Sequence, residues 1–249
     1  MTGDENMQKN LIELFSSIQG EGKYVGCRQI FVRFEGCNLD CRYCDTENQP
    51  DSHAAARIET VAGSRRFEEW QNPLSADKIA DKIRTMLKEV PHQAVSFTGG
   101  EPLLHSEFIR EIAEQIDAKV FLETNGTLYR QLDNVLDVLD IISMDIKLPS
   151  IVSRPQWEAH REFIRLARKK DLYIKLVVAA ETTPDEFHQA VKLVADLAPE
   201  TCFIIQPVTP FGGCQAAAPE QILCAQEYAL RYLNDVRVIP QTHKMIGQL

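Results

Sequence analysis

Three cysteines, Cys37, Cys41 and Cys44, lie within eight residues in the spacing C-x3-C-x2-C. Thiolates at this spacing can converge on one metal centre, either a zinc ion or an iron–sulfur cluster. A structural zinc site takes four ligands and electron-carrying clusters usually take four cysteines, whereas this loop offers three. Three thiolates on a four-iron cluster leave one iron with an open coordination position, as catalytic metals do. The spacing therefore predicts an iron–sulfur cluster that takes part in a reaction.

Other interpretations of the three cysteines predict different chemistry. A zinc site would need Cys27 or His53 as its fourth ligand, but both lie outside the loop, and zinc ligands usually come as two short pairs. Three ordinary core cysteines would not share a loop with Asn38, Asp40 and Arg42, which are rarely buried. A noncatalytic zinc or iron–sulfur protein could keep the loop, but it would not need polar residues at the ends of other strands.

Seven short β-rich runs are the elements that must position this loop. They cover 29–34, 94–98, 119–123, 140–145, 173–178, 202–206 and 236–239. Apolar residues at helical spacing lie between them, in 79–90, 108–116 and 187–197. Alternating strands and helices favour parallel pairing with right-handed crossovers. We expect an α/β fold, a partial parallel (β/α) barrel of about six strands, in a single domain over 1–249 with a polar insertion or flap at about 47–73.

Polar or glycine-rich segments follow most of these strands. They lie at 35–37, 98–102, 123–126, 145–147 and 206–209. The carboxyl ends of parallel strands share one edge of the sheet, where active sites form, so we expect these segments to face one mouth. Glu123 is among them, and the sequence leaves open whether it contacts substrate or orders a neighbouring side chain.

Composition limits the class of protein. The chain has 249 residues, 44% of them hydrophobic and 25% charged, which is typical of a folded globular protein. Its formal net charge of -9 disfavours binding to nucleic acid or anionic membranes, and indicates a small-molecule substrate. No apolar run is long enough for a membrane span, and the first residues are acidic rather than basic and apolar. We expect a cytoplasmic protein.

The cysteine motif, with the aromatic Tyr43 before its last cysteine, resembles that of the radical S-adenosylmethionine (SAM) enzymes. This resemblance implies that Cys37, Cys41 and Cys44 hold a [4Fe–4S] cluster and that the amino and carboxylate groups of SAM bind its fourth iron. Reductive cleavage of the sulfonium would then yield methionine and a 5′-deoxyadenosyl radical. No catalytic side chain beyond the cluster and the cofactor is implied.

Further motifs of that superfamily lie at the strand ends. Thr98-Gly99-Gly100-Glu101-Pro102 is similar to its Gly-Gly-Glu-Pro turn, in which glycine carbonyls can approach the ammonium of SAM while Glu101 orders the turn. The segment 145–147 lies where the superfamily contacts the ribose and carboxylate. The resemblance implies SAM contacts from Tyr43, Cys44, Asp45, Gly100, Glu101, Asp145, Ile146, Lys147, Gln206, Pro207, Val208 and Thr209.

Segments at both ends of the chain resemble the 7-carboxy-7-deazaguanine synthase family, and the similarity spans nearly the whole sequence. They are 15–22, the Cys-Asp-Thr at 44–46, and 238–244, which resembles the family's closing strand and its tail toward the substrate. The resemblance implies ring contraction of 6-carboxy-5,6,7,8-tetrahydropterin to 7-carboxy-7-deazaguanine, with loss of ammonia, in queuosine-type biosynthesis. The family commonly has Ser-Pro-Lys where this chain has Asp145-Ile146-Lys147.

The same resemblance implies a role for each nearby polar group. The Thr46 hydroxyl would be a ligand of Mg²⁺, which prefers hard oxygen ligands and keeps several waters. The guanidinium of Arg33 suits a bidentate contact with the substrate carboxylate. The other implied substrate contacts are Ile18, Gln19, Gly20 and Thr98.

The activating enzymes of glycyl-radical proteins are the alternative family, because they share Gly-Gly-Glu-Pro and an Asp-x-Lys segment. They lack the features at 15–22, 44–46 and 238–244. We also expect an electron-donor protein such as flavodoxin or ferredoxin as a partner, and a homodimer.

Overall fold

The structure is a computed structural model that describes residues 7–44, 46, 52–152 and 154–248. The strands are β1 Gln8–Lys9, β2 Leu11–Ile18, β3 Arg28–Phe34, β4 Ala55–Glu59, β5 Phe67–Gln71, β6 Leu74–Ser75, β7 Ala94–Gly99, β8 Val120–Thr124, β9 Ile141–Ile146, β10 Asp171–Val178, β11 Cys202–Pro207 and β12 Val236–Val238. The helices are α1 Ala76–Glu89, α2 Ser106–Ala113, α3 Tyr129–Asp133, α4 Pro149–Val152, α5 Trp157–Ala167, α6 Pro184–Leu197, α7 Pro219–Ala229 and α8 Thr242–Met245. Short 3-10 turns lie at Gly22–Tyr24, Pro102–His105 and Leu136–Val138.

The main sheet is mostly parallel. Within the described residues it has the strand order β12-β11-β10-β9-β8-β7-β3-β2-β4-β5. The strands from β12 to β3 are parallel, β2 is antiparallel to β3, β4 is parallel to β2, and β5 is antiparallel to β4. A separate small sheet pairs β1 with β6. The predicted α/β class is confirmed, and each of the predicted runs forms one of the parallel strands.

Side chains alternate between the two faces of this sheet, which separates core from site. On β9, Ile142, Met144 and Ile146 pack into the large core that the helices form on the outer face. The inner face is apolar near the starts of the strands, where a second core cluster contains Ala94, Phe121, Ile141, Tyr173, Cys202 and Ile204. Further along the same face the residues become polar and line a cavity: Thr98, Glu123, Ser143, Asp145, Lys175 and Gln206.

The outer helices follow the predicted apolar periodicity, with one difference. α1 buries Ile79, Ile83 and Met86, and α6 begins with a capping box between Thr183 and Glu186. α2 ends at Ala113, whereas the pattern predicted helix as far as residue 116; tight backbone turns replace the last helical turn. No helix in the described part of the chain is long and apolar enough to cross a membrane.

Two parts of the main sheet were not predicted as strands. β2 carries the first part of the motif at 15–22 and pairs with β3 along almost its whole length. Within the proposed insertion, β4 and β5 form an antiparallel hairpin, and β4 pairs with β2. Ala56 and Ile58 of β4 are fully buried, so the described part of this segment extends the sheet.

Candidate active site

The cysteine loop lies at the carboxyl end of β3. Cys37, Cys41 and Cys44 all line a cavity of about 200 Å³, and the Cys44 N–H donates to the Cys41 carbonyl at 2.9 Å, which tightens the loop. Burial raises the pKa of the Cys41 thiol to about 11 and also raises the pKa of Cys37, and the neighbouring cysteines act in the same direction. Bound iron would supply the positive charge that keeps these thiols deprotonated.

The described side chains do not form a site for a single metal ion. Tetrahedral zinc with Zn–S bonds of about 2.3 Å places its sulfur ligands roughly 3.8 Å apart. Within the described residues, no three His, Cys, Asp or Glu side chains are close enough to hold one metal ion. Neither Cys27 nor His53 lines the cysteine cavity, and His53 Nδ1 is 2.9 Å from Glu35 Oε1. The three cysteines line one cavity, and a centre in which each thiolate binds a different iron stays the prediction from their spacing in the sequence.

The turn after β7 forms the next part of the cavity wall. Gly99 has φ of 125°, and a Cβ there would lie 2.2 Å from the Phe34 carbonyl oxygen, so the close approach of β7 to β3 requires glycine. Gly99, Gly100 and Thr98 all line the cavity. This leaves backbone exposed at the place where the sequence predicts contacts with the ammonium of SAM.

Glu101 lies behind this wall, fully buried, and does not line the cavity. Its carboxylate accepts from the Thr124 hydroxyl at 2.8 Å, the Asn125 N–H at 2.8 Å and the Leu103 N–H at 3.0 Å. Burial raises the pKa of Glu101 to about 7 despite these donors. Glu101 orders the turn and the adjoining strand end, and its direct contact with SAM stays a prediction.

Unsatisfied acceptors on the inner face fit the polar groups of SAM. Asp145 Oδ1 and Gln206 Oε1 are buried without a hydrogen-bond partner among the described residues, and both side chains line the cysteine cavity. Buried acceptors normally have donors, and an ammonium or ribose hydroxyls could supply them. Val208 and Thr209 line the same wall.

The remaining predicted SAM residues lie in different places. Tyr43 lines the cavity, whereas Ile146 is in the outer core and Pro207 does not line the cavity. Asp45 falls outside the described residues. SAM contacts from these residues stay predictions.

A chain of buried charges crosses the cavity wall. Lys147 Nζ is 2.8 Å from Asp145 Oδ2 and donates to the Tyr43 hydroxyl at 3.1 Å. Lys175 Nζ is 3.5 Å from the same Asp145 oxygen and forms a second ion pair with Glu21. Burial disfavours the ammonium of Lys147, but Asp145 and the other nearby acidic groups together outweigh burial and hold the pKa of Lys147 well above its usual range. Lys147 is therefore a fixed cation beside the cluster loop.

Lys175 and Glu21 extend that chain toward the start of the sequence. Burial opposes charge on Glu21, but Lys175 outweighs it and lowers the pKa of Glu21 to about 2. Lys175 was not predicted as a site residue. The available indication was one lysine between the apolar residues Ile174 and Leu176 of β10.

A second cavity, of about 690 Å³, adjoins the first. The two share several wall residues: Glu21, Arg33, Thr46, Thr98, Glu123, Gln241 and Lys244. The predicted substrate residues all line it: Ile18, Gln19, Gly20, Arg33 and Thr98. A molecule bound there would lie next to the cysteine cavity.

Arg33 presents a guanidinium toward both cavities. Its Nε donates to Glu13 Oε1 at 2.9 Å, which fixes the plane of the side chain. Its two terminal nitrogens have no hydrogen-bond partner among the described residues, so the fork remains available for a carboxylate. This geometry agrees with the role that the sequence predicts for Arg33.

Glu123, like Glu21, is a carboxylate on the wall that the two cavities share. It accepts from Gln19 Nε2 at 2.7 Å, from the Thr98 hydroxyl at 2.8 Å and from the Ser96 hydroxyl at 3.2 Å. Gln19 gives its other amide hydrogen to Gln29 at 3.0 Å, so Gln19 orients Glu123 and has no side-chain donor left for a ligand. Glu123 thus both orders neighbouring side chains and faces the space for a ligand.

The C-terminal segment lies against Gly20 and Glu21 at the wall of the second cavity. The Thr242 N–H donates to the Gly20 carbonyl at 2.9 Å, and Gln241 Nε2 donates to Glu21 at 2.7 Å. A Cβ on Gly20 would lie 2.1 Å from His243 Nδ1, so this contact requires glycine. The tail therefore contacts the motif at 15–22, and its approach to the substrate stays a prediction.

The family model described as the Radical SAM superfamily matches residues 31–194, which begin within β3 and end within α6. That stretch contains the cysteine loop, the Gly-Gly-Glu-Pro turn and Lys147. The chain belongs to the radical SAM superfamily, which implies a [4Fe–4S] cluster and SAM as cofactors.

Full-length relatives narrow this assignment. A 7-carboxy-7-deazaguanine synthase from Geobacter sulfurreducens is 41% identical over 246 residues, which cover 96% of this chain and 97% of the relative. One from Methanocaldococcus jannaschii is 37% identical over 250 residues, which cover 95% and 99%. Within the superfamily, the chain belongs to the 7-carboxy-7-deazaguanine synthase family.

Solved structures support the fold. The crystal structure of QueE from Escherichia coli has a TM-score of 0.62 at 19% identity and covers 94% of both chains. A radical SAM methyltransferase from Sphaerobacter thermophilus has a TM-score of 0.58 at 11% identity, and covers 92% of this chain and 77% of the other. At these identities the likeness concerns the fold alone.

Proposed function

We propose that this protein is a radical SAM carbon–nitrogen lyase that converts 6-carboxy-5,6,7,8-tetrahydropterin to 7-carboxy-7-deazaguanine and ammonia. The observation that carries the proposal is that Arg33 and Glu123 line both cavities, so a molecule that they bind in the second cavity would lie next to the cysteine cavity. The names of the full-length relatives support the same reaction.

The polar groups of the second cavity complement this substrate. The aminopyrimidinone edge of a pterin presents N–H donors, and Glu123 is a carboxylate that accepts them. The free fork of Arg33 suits the 6-carboxylate. The cluster and SAM, when bound, supply the radical that removes a hydrogen atom from the substrate. The chain's own groups orient the ring, and the tail at Thr242 helps to exclude water from the cavity.

Anaerobic turnover tests the proposal. The reconstituted enzyme with dithionite, SAM and the carboxylated pterin should yield a deazapurine and one ammonia per product, and omission of SAM should abolish both. An enzyme that cleaves SAM but yields no deazapurine, and that generates a glycyl radical on a partner protein, would instead be an activating enzyme. The tail lines the second cavity through Gln241, His243 and Lys244, which supports a small substrate rather than a protein loop.

We propose Thr46 as a ligand of Mg²⁺ that orients the substrate. Thr46 lines both cavities and lies two residues beyond Cys44, so its hydroxyl can face the pterin while the thiolates face iron. A hard cation there could bridge the protein to substrate oxygens.

Thr46→Ala should lower turnover with the pterin by at least about tenfold and leave iron content unchanged, because only the magnesium site loses an oxygen. Turnover is measured across a magnesium titration after chelation. Thr85→Ala is the control, since Thr85 is exposed on α1 and lines neither cavity. An unaltered magnesium response in Thr46→Ala would refute the assignment.

The other features expected from the sequence are proposals too. They are reduction by a flavodoxin or ferredoxin, a homodimer and a cytoplasmic location.

A further inference from the structure

Asn125 follows β8 and lies against the cysteine loop. Its side-chain Nδ2 is 3.9 Å from Cys37 Sγ and donates to Asn38 Oδ1 at 2.8 Å. The residue is only 6% exposed. One amide hydrogen of Asn125 therefore points at the sulfur of a cluster ligand from a site protected from water.

The orientation of this amide is fixed by its neighbours. Asn125 Oδ1 accepts from the Thr127 backbone N–H at 3.1 Å and from the Thr127 hydroxyl at 2.6 Å. A backbone N–H can only donate, so the oxygen must face Thr127 and the nitrogen must face Cys37. If the oxygen and nitrogen of the amide were exchanged, the Asn125 NH2 group would face the Thr127 backbone N–H, and neither could accept a hydrogen bond.

The backbone of Asn125 is held on both sides as well. Its N–H donates to Glu101 at 2.8 Å, and its carbonyl accepts from His160 Nε2 at 3.2 Å. His160 is fully buried on α5, so it ties Asn125 to the outer helices. Such a held donor keeps its direction when the charge on a nearby cluster changes.

Cys37 Sγ accepts from a second donor, the Leu39 N–H at 3.4 Å. Leu39 is part of the cysteine loop and moves with it, whereas Asn125 belongs to the sheet. The Cys44 thiol, by contrast, faces the Thr46 carbonyl oxygen at 3.6 Å, which is an acceptor. The sulfur environments of the loop therefore differ, and Asn125 contributes the donor that comes from outside the loop.

We propose that the Asn125 side chain raises the reduction potential of the [4Fe–4S] cluster by donating a hydrogen bond to the Cys37 sulfur. One electron from a reductant changes the charge of the [4Fe–4S] core from +2 to +1. The added negative charge is shared with the sulfur atoms of the cysteine ligands. An N–H donor stabilises that reduced form more than the oxidised form. The inference rests on the cluster and does not depend on the identity of the substrate.

Asn125→Leu tests the proposal because leucine has a similar size and no donor. We expect the midpoint potential to fall by about 59 mV, a tenfold change in the ratio of reduced to oxidised cluster at fixed potential. The potential is measured by EPR-monitored redox titration with dithionite, without SAM or pterin, on protein whose iron content has been determined. Omission of the pterin separates this test from that of the proposed function.

Thr127→Val is the matched control. It removes the hydroxyl that contacts both Asn125 Oδ1 and Asn38 Nδ2, but it keeps the Thr127 backbone N–H that holds Asn125 Oδ1 away from Cys37. We expect Thr127→Val to change the ratio of reduced to oxidised cluster at fixed potential by less than twofold. If the midpoint potential of Thr127→Val fell as far as that of Asn125→Leu, the effect would come from disorder of the loop, and the proposal would be overturned.

Asn125→Asp is the second variant, since it keeps the acceptor for Thr127 and replaces the donor by an oxygen. We expect a fall at least as large as in Asn125→Leu. A parental potential in both Asn125 variants would overturn the proposal. Loss of the cluster from both would also overturn it, because Asn125 would then be needed for assembly rather than for the potential.

Discussion

Replacement of Cys41 by alanine should abolish reductive cleavage of SAM and bring formation of 5′-deoxyadenosine to the level of the reaction without enzyme. The same result is expected for Cys37→Ala and Cys44→Ala. Each thiolate would bind a different iron of the proposed cluster, and among the described residues no fourth cysteine lines that cavity. Iron content and 5′-deoxyadenosine are measured after anaerobic reconstitution with dithionite and SAM.

Cys224→Ala is the control for these variants. Cys224 is an exposed cysteine on α7 and lines neither active-site cavity, so its loss should leave iron content and SAM cleavage at the parental level. Parental cleavage in a variant of the cysteine loop would contradict the prediction. Stoichiometric zinc without iron in the reconstituted parent would contradict the cluster itself.

Much of the fold could be predicted because buried parallel strands have an unambiguous composition. Runs such as 202–206 are almost wholly apolar, since both faces of the parallel sheet are covered for most of their length. β2 was missed because Glu13, Ser16 and Ser17 interrupt its apolar residues, although all three are buried. In the hairpin, only Ala56 and Ile58 mark β4 as a strand that packs against the core.

The cysteine loop and the glycine turn could be predicted because their chemistry depends on local spacing. The partners of Glu123 could not, since Gln19 follows β2, Ser96 and Thr98 lie on β7, and the three meet Glu123 only in the folded sheet. Lys175 was missed for the same reason, because its partner Glu21 is far away in sequence. Local motifs therefore identify the cofactors, whereas substrate contacts depend on register between strands.

Arg33→Lys should weaken use of the carboxylated pterin by about 10- to 100-fold in kcat/KM, mainly through KM. Lysine keeps the positive charge beside Glu13 but cannot make the bidentate contact with the substrate carboxylate. Loss of one hydrogen bond to a charged group costs about 1.5–3 kcal/mol, which corresponds to this range. Steady-state kinetics under anaerobic conditions measure the change.

A tetrahydropterin without the 6-carboxylate makes this prediction specific. As a competitive inhibitor it should bind the parent and Arg33→Lys about equally, because it lacks the group that Arg33 contacts. Arg28→Lys is the control on the same strand, since Arg28 donates to Ser16 and lines neither cavity. Equal losses with both ligands would mean that Arg33 shapes the cavity through Glu13, and parental kinetics in Arg33→Lys would place the substrate carboxylate elsewhere.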